Sequence, residues 1–217
     1  KFKFKRNINL LDIKNLKNSD INKNSINLIN IDLKKSINKK KNTEFENEYI
    51  KQSFKIAFRL IKKGFSNKLL NGPINKETFL KKKFLGITEY ISDNFKQKKT
   101  GMLIYNSKLS VCPLTTHLPL KLVAKKITKK AIKEKIEVIN KFFKKNLKFK
   151  PKIAVTGLNP HCESILDFNE DEKIISAVIK SSIKKKINIK GPFPADTLFL
   201  KANRKRFDVI LGMYHDQ

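Results

Sequence analysis

The chain of 217 residues has no tryptophan, two cysteines, seven glycines and seven prolines. Each scarcity excludes something. Cys112 and Cys162 cannot build a disulfide scaffold, so a reducing, cytoplasmic compartment is the expectation. No apolar run approaches the ~20 residues that a membrane span requires, so no membrane partner is expected. Lys1–Arg6 alternates lysine and phenylalanine, with neither the apolar stretch nor the small-residue cleavage site of a signal peptide. There is no GxGxxG, no GxxxxGK[ST], no CxxC and no GxSxG. An ordinary dinucleotide fingerprint and a P-loop are therefore both excluded.

Arginine is also scarce: Arg6, Arg59, Arg204 and Arg206 are all there is, yet the formal charge is +30. A charge of that size suggests a nucleic-acid or anionic-membrane partner. Readers of nucleic acid, however, draw on the planar fork of arginine, and here lysines are spread along every segment. Abundant Lys, Asn, Ile and Phe are what AT-rich codons produce. Compositional drift is the preferred reading and no specific nucleic-acid partner is expected. A basic nucleic-acid-binding module is the alternative from a different functional class. Either way, anionic substrates would be drawn in and salt would weaken the attraction.

What is present is the material of a core. Hydrophobic residues make up 40% of the chain, too many for a disordered one. Glu44–Lys63 has helical periodicity, with Gly64 where a C-cap belongs. Thr128–Asn146 predicts an amphipathic helix with Ile132, Ile136, Ile139 and Phe143 on one face. Asn169 predicts the cap of another helix, with Glu172 at the capping-box position. Short strands are expected at Leu28–Leu33, Leu69–Leu70, Gly101–Tyr105, Leu109–Val111, Lys152–Thr156 and Phe207–Leu211. Strands alternating with helices predict an α/β fold with a largely parallel sheet.

Most of the scarce Gly and Pro falls in four short blocks: Asn71–Lys76 (NGPINK), Pro113–Pro119 (PLTTHLP), Gly157–His161 (GLNPH) and Gly191–Thr197 (GPFPADT). Each follows an apolar run or precedes a helix, the position where open α/β sheets bind ligands. The three histidines, His117, His161 and His215, all lie in strand-end loops. Three imidazoles with an open position is a catalytic metal arrangement. Their separations, 117 to 161 and 161 to 215, are not a local metal motif, so spacing leaves structural or surface histidines equally open. Asp216, Glu163 and Asp196 accompany them, as ligand-orienting groups, as acid or base, or as plain caps and loop charges. Cys162 reads as a small packing residue rather than a soft ligand.

TTHLPL, GLNPH, GP-x-PADT-x-F and MYHDQ, in this order, resemble the 4-hydroxythreonine-4-phosphate dehydrogenase family. NGPINK and the following GITE resemble that family's PxNK and GHTE blocks. The match runs from about Glu44 to Gln217. The resemblance implies a two-domain α/β/α sandwich like the isocitrate and isopropylmalate dehydrogenases. Residues 1–85 would be part of the first domain, and 86–217 the second, carrying the metal site and the dimer interface. It implies a homodimer whose shared site takes a divalent metal (Zn, Mg or Co) on His117, His161 and His215. It implies NAD or NADP as hydride acceptor and a phosphorylated hydroxy amino acid as substrate. The 3-hydroxyl would be oxidised and the resulting β-keto acid would lose CO₂, giving 3-amino-2-oxopropyl phosphate for vitamin B6 synthesis. Thr88 would touch substrate, as would position 87, where Ile87 replaces the family's histidine. Asp196 and Asp216 are the expected proton-handling or metal-orienting groups. CESILDF (162–168) replaces the family's glycine-rich AGEGG stretch. The family's phosphate-gripping Lys, Asn and Arg follow the MYHDQ block, and a glycine-rich block precedes the N-terminal region, so a fragment of a longer protein is expected. Ile87 leaves open a dehydrogenase of threonate or erythronate 4-phosphate, and an inactive relative is the third possibility.

Overall fold

The computed structural model describes residues 7–33, 39–81, 83–163 and 168–217. They form a mixed α/β fold whose two sheets are both parallel. The chain divides into two compact units, Lys1–Asn94 and Phe95–Gln217.

In the first unit, β1 (Ile8–Leu10) pairs with β2 (Ile26–Leu28) as a two-stranded parallel sheet. Helix α1 (Lys39–Lys62) ends as expected at Gly64, whose φ of 82° is the left-handed conformation that glycine reaches cheaply. Phe65 N donates to Leu60 O at 3.1 Å and Gly64 N to Ile61 O at 3.0 Å, a Schellman-type closure. Helix α2 (Lys76–Leu80) starts where Asn75 Oδ1 accepts from Glu77 N and Thr78 N, at 3.1 and 3.2 Å. Helix α3 spans Ile87–Asn94. Phe54, Phe58, Phe79 and Phe84 gather around Tyr90, with ring centroids 5.3–6.0 Å from it.

The second unit is built on a four-stranded sheet ordered β3-β6-β4-β5. Its strands are β3 (Ser110–Thr115), β4 (Ile153–Thr156), β5 (Ile189–Phe193) and β6 (Val209–Tyr214). Helices α4 (Leu120–Lys126) and α5 (Lys129–Phe142) connect β3 to β4. A π-helical turn, Asp171–Ser176, and α6 (Ala177–Lys184) connect β4 to β5. Two short helices, α7 (Ala195–Leu198) and α8 (Lys201–Arg204), lead to β6.

Helix α5 forms as its periodicity requires. Thr128 Oγ1 caps it by accepting from Ala131 N at 3.1 Å, and Ile132, Ile136 and Ile139 are at most 2% exposed. These pack with Val155, Ile175, Ile179, Leu211 and Met213 on one face of the sheet. On the other face a smaller cluster joins Ala154, Ile210, Leu198 and Phe207. Strand β4 is buried along its whole length, the uninterrupted apolar run of a strand covered on both faces.

Several expected strands differ. Ile26–Leu28 pairs, while 29–33 runs on unpaired. Leu69–Leu70 is irregular, and Leu70 is 97% exposed: two apolar residues cannot hold a strand without a ladder partner. Gly101–Tyr105 contributes only an antiparallel bridge, Ile104 to Val111. The Leu109–Val111 strand extends through Pro113, which is tolerated because β3 is an edge strand. The last strand begins at Val209 and continues to Tyr214. Strand β5 had no sequence signal because Gly191 and Pro192 sit inside it. They form a bulge, since the register passes from Ala154↔Lys190 to Thr156↔Phe193. A Cβ on Gly191, at φ 135°, would lie 2.5 Å from Val155 O, so only glycine fits. Lys1–Arg6 lies outside the described residues.

Candidate functional site

All four strands of the larger sheet run in the same direction, so their carboxyl ends share one edge. The blocks noted in the sequence follow those ends. His117 comes two residues after β3, Gly157 directly after β4, Pro194 directly after β5, and His215 directly after β6. Neighbours in the sheet, β3 and β6, therefore deliver His117 and His215 side by side. Their ring centroids are 6.0 Å apart and the planes 30° apart. Thr115 Oγ1 fastens the two strand ends by donating to Met213 O at 2.9 Å. The histidines line a cavity of about 410 Å³ with Leu118, Val123, Tyr214 and Asp216.

A carboxylate stands behind one ring of this pair. His215 Nδ1 lies 2.8 Å from Asp216 Oδ1. A proton held on Nδ1 by that carboxylate leaves the Nε2 lone pair for a divalent ion. His117 has φ 45°, a left-handed conformation uncommon outside glycine and frequent at functional turns.

His161 lies on the turn Pro160–Cys162 after β4, at the same sheet edge, also left-handed with φ 56°. It is not among the residues lining the His117–His215 cavity. Among the described residues no group of three His, Cys, Asp or Glu side chains is gathered around one point. One chain thus brings together two of the three histidines.

The loop before His161 rests on a buried carboxylate. Asp171 is 1% exposed, and its carboxylate accepts from Leu158 N at 2.6 Å, Asn159 N at 3.1 Å and Asn159 Nδ2 at 2.9 Å. Asn169 Oδ1 in turn accepts from Asp171 N at 2.8 Å, the expected cap. A Cβ at Gly157 would meet Cys162 Sγ at 2.6 Å and Asp171 Oδ1 at 2.7 Å, which explains the glycine. The Cys162 thiol is pushed up to about 11 by burial, then by the Asp171 carboxylate, against a backbone hydrogen bond from Gly157. It stays protonated at neutral pH and packs against Gly157, as a small packing residue would. Residues 164–167 of the CESILDF stretch lie outside the described residues.

Gln217 carries no local sequence signal, although it closes the MYHDQ block. Its side chain bonds to Met213, Thr156 and Gly157. Asp196 is exposed, inside helix α7, and its Oδ1 accepts from Thr197 N at 2.7 Å. Ile87, half-buried, and Thr88, exposed, open helix α3 of the first unit.

The family model described as "Pyridoxal phosphate biosynthetic protein PdxA" matches residues 2–217. The chain belongs to the PdxA family. A 4-hydroxythreonine-4-phosphate dehydrogenase of Sulfurihydrogenibium sp. is 35% identical over 97% of this chain and 65% of its own length. One of Aquifex aeolicus is 40% identical over 69% of this chain and 47% of its own length. A D-threonate 4-phosphate dehydrogenase of Pectobacterium atrosepticum is 32% identical over 76% and 54%. This PdxA-family chain therefore spans about half to two-thirds of the length of these relatives. Among solved structures, a 4-hydroxythreonine-4-phosphate dehydrogenase from Burkholderia phymatum superposes with a TM-score of 0.71 at 26% identity, over 97% of this chain and 65% of that one. A terephthalate 1,2-cis-dihydrodiol dehydrogenase from Burkholderia xenovorans, at 17% identity and a TM-score of 0.60, shares the fold.

Proposed function

We propose that the whole protein is a metal-dependent dehydrogenase that oxidises 4-phosphohydroxy-L-threonine, with NAD or NADP as hydride acceptor. The keto acid formed would then lose CO₂ to give 3-amino-2-oxopropyl phosphate in vitamin B6 synthesis. The observation that carries this reading is the His117–His215 pair, backed by Asp216, at the carboxyl edge of a parallel sheet. The donor set fits a divalent ion such as zinc or cobalt: two imidazoles, one with a carboxylate on its Nδ1. When bound, such an ion supplies Lewis-acid stabilisation of developing negative charge on the substrate oxygen. His117 and His215 would bind it, Asp216 would keep the His215 tautomer, Asp196 would handle a proton or orient the metal, and Thr88 and Ile87 would touch substrate. The loops after β3 to β6 hold no GxGxxG, so no residue of this chain is assigned to the nicotinamide cofactor.

The test is made on the full-length protein. Reduction of NAD or NADP with 4-phosphohydroxy-L-threonine should be abolished by a chelator, restored by Zn²⁺ or Co²⁺, and lost in His215→Ala. Chelator-resistant turnover would overturn the metal assignment. D-threonate 4-phosphate is the second reading, favoured by Ile87 and by the relatives named for that substrate. It wins if its kcat/KM exceeds that of the amino acid.

We further propose a homodimer in which His161 of one subunit completes the pair of the other. What supports this is that one chain gathers two of the three histidines. A mixture of His161→Ala and His117→Ala chains would then contain one intact site per mixed dimer, and should regain metal binding that neither variant has alone. No recovery after subunit exchange would refute shared ligands. The two domains of the dehydrogenase are proposed at 1–85 and 86–217, whereas the compact units part after Asn94. A cytoplasmic location is proposed from the two free cysteines. No helix among the described residues is long and apolar enough to cross a membrane.

A further inference from the structure

Two loops bearing histidines leave adjacent strands, β4 and β6, and something must hold their relative positions. Backbone pairing cannot do it. The β4–β6 ladder is registered from Ile153↔Val209 to Val155↔Leu211, short of either loop. Beyond that point side chains make the connection: Thr156 Oγ1 accepts from Met213 N at 3.2 Å, and Gln217 reaches both strands. Gln217 Oε1 accepts from Met213 N at 2.7 Å and from Thr156 Oγ1 at 2.7 Å, while its Nε2 donates to Gly157 O at 2.5 Å. Thr156 is fully buried and Gly157 opens the loop to His161. Met213 is two residues before His215 and Gln217 two after. The far side of the same loop is held by Asp171, through Leu158 N and Asn159 N.

We infer that Gln217 is a positioning residue that locks the His215 turn to the loop carrying His161, so that the two order as one body. The amide suits the task because it offers an acceptor and a donor in one plane. It accepts from β6 and from the Thr156 hydroxyl while donating to the β4 loop. It carries no charge, so the lock does not depend on pH. Its effect on a metal rests on the histidine site proposed above; the mechanical lock does not.

The experiment uses the full-length protein with Gln217→Leu and Gln217→Glu. Hydrogen exchange is followed over 157–163 and 213–217. In Gln217→Leu both segments should exchange at least about tenfold faster, together, with α5 unchanged. Co²⁺ titration should show affinity about 10- to 100-fold weaker and an altered visible absorption band, as for loss of an outer-shell partner. Gln217→Glu should recover part of both, because it keeps the acceptor for Met213 and Thr156 and loses only the bond to Gly157. If Gln217→Leu does not fold, Gln217→Glu carries the same comparison against wild type. Loosening of 213–217 alone, or of neither segment, would overturn the inference. Wild-type protein that binds Co²⁺ no better than His215→Ala would refute the metal reading, and the exchange data would still decide the lock.

Discussion

The two units spend their apolar residues differently. In Phe95–Gln217, helix α5 and helix α6 cover one face of a four-stranded sheet, and Ile132, Ile153, Val155, Val209 and Leu211 are completely buried. In Lys1–Asn94, the strands β1 and β2 leave Ile8 61% and Leu10 71% exposed, and burial centres on the aromatic group around Tyr90. The same residue types are present in both. What differs, among the described residues, is how far other elements cover the sheet, because a strand's alternate side chains are removed from water only when another layer covers them. The candidate histidines rise from the covered sheet, where strand ends are fixed by the core beneath.

Core truncation should separate the units most sharply. Ile136→Ala, deep in the second unit, should destabilise by about 2–5 kcal/mol. Leu70→Ala, at a position 97% exposed, should change stability by less than about 0.5 kcal/mol. Urea midpoints for the two variants check this, and equal shifts would erase the contrast.

Glycines provide the next test. Gly191→Ala forces a Cβ to 2.5 Å from Val155 O at φ 135°. The backbone strain alone is about 1–3 kcal/mol, and the clash adds to it. Gly64→Ala in the first unit meets nothing within 4 Å and bears only the cost of φ 82°, about 1 kcal/mol. Thermal unfolding should rank Gly191→Ala well below Gly64→Ala.

A local effect is expected at Asp171. Asp171→Ala strands the amides of Leu158 and Asn159, at about 1–3 kcal/mol for a buried donor left unmet. Faster exchange of those amides should accompany the loss, with the first unit unaffected.

The smallest effect is alkaline. Burial pushes Cys112 and Cys162 from 9.0 to about 11, and raises Tyr90 above 10.0. Between pH 9 and 11 the unfolded chain releases thiol protons that the folded chain retains, so stability falls as pH rises through that window. Both cysteines are in the second unit, so its loss should begin near pH 9, while the Tyr90 contribution in the first unit begins only above 10. Thermal unfolding from pH 8 to 11, with iodoacetamide labelling as a readout of thiolate, checks the order. Rapid labelling of the folded protein at pH 8 would contradict thiols held protonated.

Much of this was legible one residue at a time. Ile132, Ile136 and Ile139 announce a helix because 3.6-residue periodicity is local, and Gly64, Thr128 and Asn169 announce the ends of three helices for the same reason. Scarce Gly and Pro marked the loops, since strained backbone tolerates few substitutes. Strand β5 was hidden because its Gly191–Pro192 bulge reads as a loop until Val155 lies against it. The roles of Asp171 and Gln217 had no local signal, because their partners lie 12–13 and 4–61 residues away. The sequence by itself determined residue types, helix faces, caps and the four loop blocks. Tertiary structure decided that His117 and His215 meet, because sheet order places β6 beside β3, and pairing between distant strands leaves no trace in the spacing of either.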